Sequence, residues 1–353
     1  MSHSVRTIAI NLAVLCGLAL LVEVGIRVWY FSRTCAKSAC DYRVFTLVNF
    51  HDVSQENSSI DHERLGHLPH PGRYAVNEKG WSGQIVVIEE DSTRSNGQPA
   101  PTRTGPRLLA VGDSFTFGAQ VADAETWPAA LERILSAPVV NAGVNGYGFA
   151  QAALRGRLLL AEHAYDLVIL SAYAPDDFLR DRLLTRYSSR KPAWVERDGT
   201  VTVSYPGDHE ALRQDLMARE VQLPHFTGYS YLLKKINKDL FGYLGGHFID
   251  HPQAAAADRI ICHVTTELRR ENVPAVILVQ YDITTLEGEK PALVQTLAAC
   301  AAENSIPVID SWDFLSGQPD RKSLFFGHMT PEGNERLAQF IAGELKTRFP
   351  DKF

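Results

Sequence analysis

The sequence predicts an α/β protein: a doubly wound, parallel five-stranded sheet, interrupted by one long insertion and preceded by a transmembrane helix. Three observations predict it. After Pro106, short apolar runs alternate with amphipathic helical stretches, the pattern of a parallel sheet covered on both faces. The composition of the 353 residues is ordinary for a globular chain, with 45% hydrophobic and 22% charged, which excludes collagen-like or wholly disordered organisation. One unbroken apolar stretch stands apart at the amino end. A net charge of -6 offers no broad basic face, so no nucleic-acid partner is expected.

The apolar stretch runs from Ile8 to Phe31, 24 residues. At about 1.5 Å per residue it is long enough for a hydrocarbon core of about 30 Å. Its only charges, Glu23 and Arg27, are spaced to meet on one helical face, and Trp29 and Tyr30 suit the interface. No small-residue cleavage site follows, so a retained single-pass anchor over residues 1–33 is favoured over a cleaved signal or a buried soluble helix. Arg6 lies on one side and Arg33, Lys37 and Arg43 on the other. Taken literally, that count puts the large domain in the cytoplasm, but long domains translocate largely regardless of it. Cysteine usage points the other way. Cys35, Cys40, Cys262 and Cys300 can form two disulfides in an oxidising compartment, the alternative being buried or free thiols, while Cys16 lies in the anchor. The expected location is therefore a membrane, with the large domain extracytoplasmic.

Residues 34–105 read as an irregular stalk around one ordered unit, LGHLPHPGRYAVNEKGWSG, with a linker from Asp91 to Pro106. The domain spans 106–350. Its strands are expected at 107–114, 138–143, 166–173, 274–281 and 307–311, and its helices at 124–136, 148–164, 251–272, 292–304 and 331–349. Residues 179–250 break this rhythm. The insertion carries Trp194, Tyr205, Tyr229, Tyr231, Phe241 and Tyr243 and reads as a lid or substrate wall suited to sugar stacking, or as an appendage with its own small core. His67, His70 and His209 read as solvated loop residues, and no Cys/His spacing suggests a metal site.

Chemistry collects at the carboxyl ends of the strands in such a sheet. Gly112-Asp113-Ser114 ends the first strand and displays a hydroxyl there. A serine is a weak nucleophile and needs a base within reach. His328 is the candidate, in FFGHMTPEGN: Thr330 is a helix cap and Pro331 a first helical residue, which fixes the histidine on the loop entering the last helix. The NAGVNGYG loop (141–148) brings glycines whose N–H groups can approach a reacting oxygen, and Ala174-Pro175-Asp176-Asp177 follows the third strand. Together these are the parts for acyl transfer through a tetrahedral intermediate. No phosphate-binding loop or nucleotide fingerprint is present in the sequence, so no cofactor is implied.

The ordered set GDSFTFG, NAGVNGYG, PDDF and HMTPEGN resembles the SGNH (GDSL-type) hydrolase superfamily, and most of all its membrane-anchored, extracytoplasmic members, some of which move or remove O-acetyl groups on polysaccharides. The resemblance implies a flavodoxin-like order of strands, Ser114 as nucleophile and His328 as base and then acid. It implies an oxyanion hole from the N–H groups of Ser114 and Gly143, with Asp113 ordering the turn and Asp177 supporting. Two departures stand out. The family's asparagine in the third motif is Asp176 here, and a carboxylate cannot donate to an oxyanion; Asn145 is a candidate replacement. The family's aspartate three residues before the histidine is Phe325, leaving a Ser–His dyad or an acid from elsewhere, such as Asp320 or Asp313. The expected substrate is an acylated small molecule or polysaccharide. The competing expectations are a catalytically weakened protein that binds glycan or a membrane partner, and a cytoplasm-facing lipid esterase.

Overall fold

The computed structural model describes residues 3–35, 59–75, 84–97, 105–186, 189–221, 230, 232 and 248–353. These fall into two compact units. One comprises Met1–Glu56 with Glu210–Ile249; the other comprises Asn57–His209 with Asp250–Phe353.

In the first unit, helix α1 (His3–Cys35) carries the apolar stretch Val5–Trp29, most of whose side chains are exposed among the described residues. It is long and apolar enough for a membrane span or a signal sequence. The i,i+4 pair is formed, with Arg27 Nε 2.7 Å from Glu23 Oε1. The second oxygen of Glu23 accepts from Ser230 Oγ and from the Leu232 N–H, each at 2.9 Å. Part of the insertion therefore belongs with the apolar helix rather than with the sheet.

The second unit holds the sheet. Five parallel strands, β1 (Leu108–Val111), β2 (Val139–Asn141), β3 (Leu167–Tyr173), β4 (Ala275–Gln280) and β5 (Val308–Asp310), lie in the order β5-β4-β3-β1-β2. Interior strand β1 is wholly buried. That is why it reads as an uninterrupted apolar run rather than an alternating one. Helices α2 (Trp127–Leu135), α3 (Phe149–Glu162), α4 (Ala257–Arg270), α5 (Ala292–Glu303) and α6 (Pro331–Arg348) cover it. α2 packs on α6, while α4 packs on both α3 and α5, giving a layer on each face. Local chemistry sets their ends. Thr126 caps α2 through the Ala129 N–H, and Thr330 caps α6 through that of Gly333. α3 begins at Gly148, which has no side chain to offer. Buried Asp181 accepts instead from the N–H groups of Ala150 and Gln151, at 2.6 and 3.1 Å.

Upstream of the sheet, the described residues include paired strands. Ser59–His62 pairs with Gly66–Pro69, and Gly72–Ala75 with Ile85–Ile88, as antiparallel hairpins. The stretch read as a linker contains buried Ser92, Thr93 and Arg94. The Arg94 N–H donates to the Asn141 carbonyl at 2.8 Å, adding a bridge to edge strand β2. Polar composition concealed this because the burial serves one guanidinium, not an apolar face. His209 also departs from expectation. It is 3% exposed, with its ring nitrogens on Ser204 Oγ and the Lys191 carbonyl. Trp194, offered as a stacking platform, is buried in the core from the hairpin Ala193–Arg197/Thr200–Ser204. Tyr205 is partly buried against the same core, and Tyr229, Tyr231, Phe241 and Tyr243 lie outside the described residues.

Cys262 of α4 and Cys300 of α5 form a disulfide; Cys35 has no described side chain and Cys40 lies outside the described residues. The bridge closes a sequence separation of 38 residues, and in the chain-entropy account it contributes up to about 4 kcal/mol. Thermal unfolding with and without reductant should differ by on the order of 10 °C for a domain of this size. Coincident transitions would mean that the bridge does not stabilise the fold.

Candidate active site

The site is assembled at the carboxyl ends of β1 and β3 and at the entrance to α6. β1 runs into Asp113, whose Oδ1 accepts from the Phe115 N–H at 2.9 Å and so caps the helical turn Ser114–Phe117. The turn lifts Ser114 away from the sheet. Its Oγ lies 2.9 Å from His328 Nε2 and 3.2 Å from Asp113 Oδ2. His328 is delivered by a two-strand hairpin in which Phe325–Phe326 pairs with His328–Met329. Gly327 makes the turn at φ 78°, a conformation open to glycine. Thus residues 214 apart in sequence share a hydrogen bond. Phe115 packs between two rings, 5.0 Å from that of His328 and 4.5 Å from that of Tyr173.

His328 has a second contact that the sequence did not reveal. Gln120 Oε1 lies 3.2 Å from His328 Nδ1 and accepts from the His328 backbone N–H at 3.0 Å. Asp320, one of the acids considered for this place, pairs with Arg336 at 2.8 Å. Asp313 sits in the short helix Trp312–Ser316, with no described contact to His328. Burial holds the His328 imidazole below its usual range. Asp113 and Asp282 work in the opposite direction, and Arg180 adds to the lowering.

Arg180 knits the acidic groups together. Its Nη1 reaches Asp177 Oδ1 at 2.5 Å and Asp113 Oδ2 at 3.1 Å, and its Nη2 reaches Asp176 Oδ2 at 3.3 Å. Asp177 is fully buried and also accepts from the Tyr173 N–H at 2.8 Å. Burial and the nearby Asp113 push its carboxyl well up, against the pull of Arg180. The spacing Asp176, Asp177, Arg180 on one helical turn was a readable sign of this pairing.

The remaining candidates are less uniformly placed. Asp176 follows the cis Ala174-Pro175 bond, and its side chain is half exposed. Gly143 lies so close to the nucleophile turn that a Cβ would fall 2.2 Å from the Phe117 nitrogen. Its own N–H donates to Asn141 Oδ1 at 3.1 Å. Asn145 is exposed; its carbonyl accepts from His67 Nε2 at 3.1 Å, and among the described residues nothing joins its side chain to Ser114. Behind the site, Arg94 donates to the carbonyls of Phe117, Gly118 and Val121 at 2.7, 2.6 and 2.7 Å and pairs with Asp123 at 2.8 Å. It holds the loop that carries Gln120. Among the described residues no cluster suits a metal ion.

Strand order, the GDS turn and a histidine within hydrogen-bond reach of its serine define an esterase-type hydrolase fold. The chain belongs to the GDSL-like Lipase/Acylhydrolase family, whose model matches residues 110–336. Among solved structures it is similar to a member of the lipolytic protein G-D-S-L family from Veillonella parvula DSM 2008, with 16% identity, 69% of this chain and 99% of that one covered, and a TM-score of 0.38. It is similar to the lipase/acylhydrolase from Enterococcus faecalis, with 17% identity, coverage of 69% and 96%, and a TM-score of 0.36. A third is AlinE4, an SGNH-hydrolase family esterase, with 16% identity, coverage of 70% and 97%, and a TM-score of 0.33. Among curated proteins, no sequence matches this chain.

Removing Arg180 would leave buried carboxylates without their counter-charge. Arg180→Met should lower the unfolding free energy by about 3–5 kcal/mol in urea titration, and adding Asp177→Asn should restore part of the loss. A loss below about 1 kcal/mol would mean that the cluster is not held by this guanidinium.

Proposed function

We propose that this protein is a membrane-tethered serine esterase or O-acyltransferase acting on ester-linked acyl groups, acetyl in the simplest case. The observation that carries the reading is the 2.9 Å contact between Ser114 Oγ and His328 Nε2. In this mechanism Oγ attacks the ester carbonyl while Nε2 takes its proton. The tetrahedral intermediate collapses as Nε2–H returns that proton to the leaving alkoxide, and the acyl group stays on Ser114. Water then gives hydrolysis, or a second hydroxyl gives transfer. Asp113 orders the turn and Asp177 supports it through Arg180. In this reading the Ser114 N–H, at the first position of a helical turn, donates to the developing oxyanion, joined by that of Gly143 once it exchanges its bond to Asn141.

An acylated polysaccharide or small molecule outside the cytoplasm is the substrate class this reading favours. The apolar helix supports tethering, and the Cys262–Cys300 bridge supports an oxidising compartment. A second reading is favoured by Asp176. Its carboxylate is paired with Arg180 where the third-motif asparagine would donate a hydrogen bond, which suits a weakened catalyst that binds glycan or a membrane partner instead.

One panel separates the two. With short- and long-chain acyl esters and acetylated glycans, the wild type should turn over at least one ester and Ser114→Ala none. Asp176→Asn should raise kcat by up to about 100-fold if the missing donor is what limits the rate. No turnover by the folded wild type, with activity created only in Asp176→Asn, would favour the binding reading.

A further inference from the structure

We infer that Gln120 is the positioning residue for His328, so that a neutral amide sets the tautomer and angle of the imidazole where a carboxylate would ordinarily do so. This rests on the Ser114–His328 reading above but makes its own demands on the histidine.

The argument begins with which atoms can donate. The His328 backbone N–H can only donate, and its partner at 3.0 Å is the side chain of Gln120. The atom facing it must therefore be the amide oxygen rather than the NH2 group, which settles the orientation of that amide. The same oxygen lies 3.2 Å from His328 Nδ1. A carbonyl oxygen can only accept, so Nδ1 must carry the proton. Neutral imidazole has a single N–H, and Nε2 is left as the bare nitrogen facing Ser114 Oγ at 2.9 Å. The tautomer needed for a general base follows from one backbone donor and one amide.

Gln120 is also held in place. It has φ 73°, which is disfavoured for any residue with a side chain. The conformation persists because Arg94 binds the carbonyls of Phe117, Gly118 and Val121 on either side of it. Gly327 completes the fit, since a Cβ there would fall 3.0 Å from Gln120 Oε1. The amide is thus clamped from behind by a buried guanidinium and approached from the front by a residue without a side chain.

The electrostatic consequence differs from that of an acid in the same place. An amide orients Nδ1–H but brings no net charge to stabilise imidazolium. The charged groups facing His328 are Asp113 and Arg180, beyond the first and third strands, and Asp282, beyond the fourth. Asp113 is bonded to Arg180, and Asp282 accepts from the Thr285 N–H at 2.7 Å, so neither carboxylate is given over to the imidazole. Tyr173, the other titratable neighbour of this cluster, has its phenol pushed up by burial and by Asp282 and stays neutral. Burial leaves the His328 imidazole below its usual range. The base is therefore in its working, neutral form down to more acidic pH than an acid-supported histidine, and it is the weaker base for it.

The test follows His328 itself. In 15N-histidine NMR of the full-length protein, with the signal assigned by loss in His328→Gln, wild type should show a protonated Nδ1 and an unprotonated Nε2 above its titration. Gln120→Glu keeps the shape and adds a charge. It should raise the His328 titration midpoint by about one pH unit or more. The acid limb of kcat/KM should move upward by the same amount. Gln120→Leu should mix the tautomers and lower kcat by about 10-fold or more at nearly unchanged KM. A proton found on Nε2 in wild type, or a midpoint unmoved in folded Gln120→Glu, would overturn the proposal. The NMR titration reads out even if no ester is turned over, so failure of the esterase reading is distinct from failure of this one.

Discussion

A neutral imidazole has one proton and two nitrogens, and the fold must decide where that proton sits. Here Ser114 and His328 approach from opposite ends of the domain sequence and meet because β1 is an interior strand and α6, after edge strand β5, returns to pack on α2 beside it. The GDS turn fixes one partner through the Asp113 cap, and the Gly327 hairpin fixes the other. Each device is local, but their meeting is a property of the sheet. That is the general logic of open α/β folds, in which strand ends gather loops from distant parts of the chain.

Two buried guanidinium groups do much of the holding. Arg180 gathers Asp113, Asp176 and Asp177 from two loops, and Arg94 gathers three carbonyls and Asp123 behind the nucleophile turn. Arginine suits both places because its fork can satisfy several acceptors at once while staying charged. Buried ion pairs are poor sources of net stability, but losing one partner is costly. Their value here lies in orientation: they keep the turn around Ser114 and the loop around Gln120 from relaxing.

Much of this was legible in the sequence, and the reasons are physical. The five strands are apolar runs that alternate with helices except across the insertion, and cap signals such as Thr126 and Thr330 bound α2 and α6; α4, with no capping side chain, begins at Ala257 rather than at the expected residue 251. Ser114 and His328 were legible because the residues that display them, Gly112-Asp113 and Gly327 with Thr330-Pro331, are sequence neighbours. Gln120 was not. It acts through a left-handed backbone conformation and across 208 residues, and neither leaves a local pattern. Arg94 was hidden in a polar stretch because its burial is satisfied by carbonyls rather than by apolar neighbours. Trp194 was left between two readings for the opposite reason: an aromatic residue in an insertion can as readily close a core as line a cleft, and only packing tells them apart.

The central claim is that Ser114 is made nucleophilic by His328 at this edge of the sheet. The most direct measurement is labelling of the folded protein with a serine-directed fluorophosphonate, with the adduct located by mass spectrometry. The account predicts one adduct, on Ser114, formed far more slowly in His328→Ala. Absence of any adduct, or labelling of Ser114 at the same rate without His328, would contradict it.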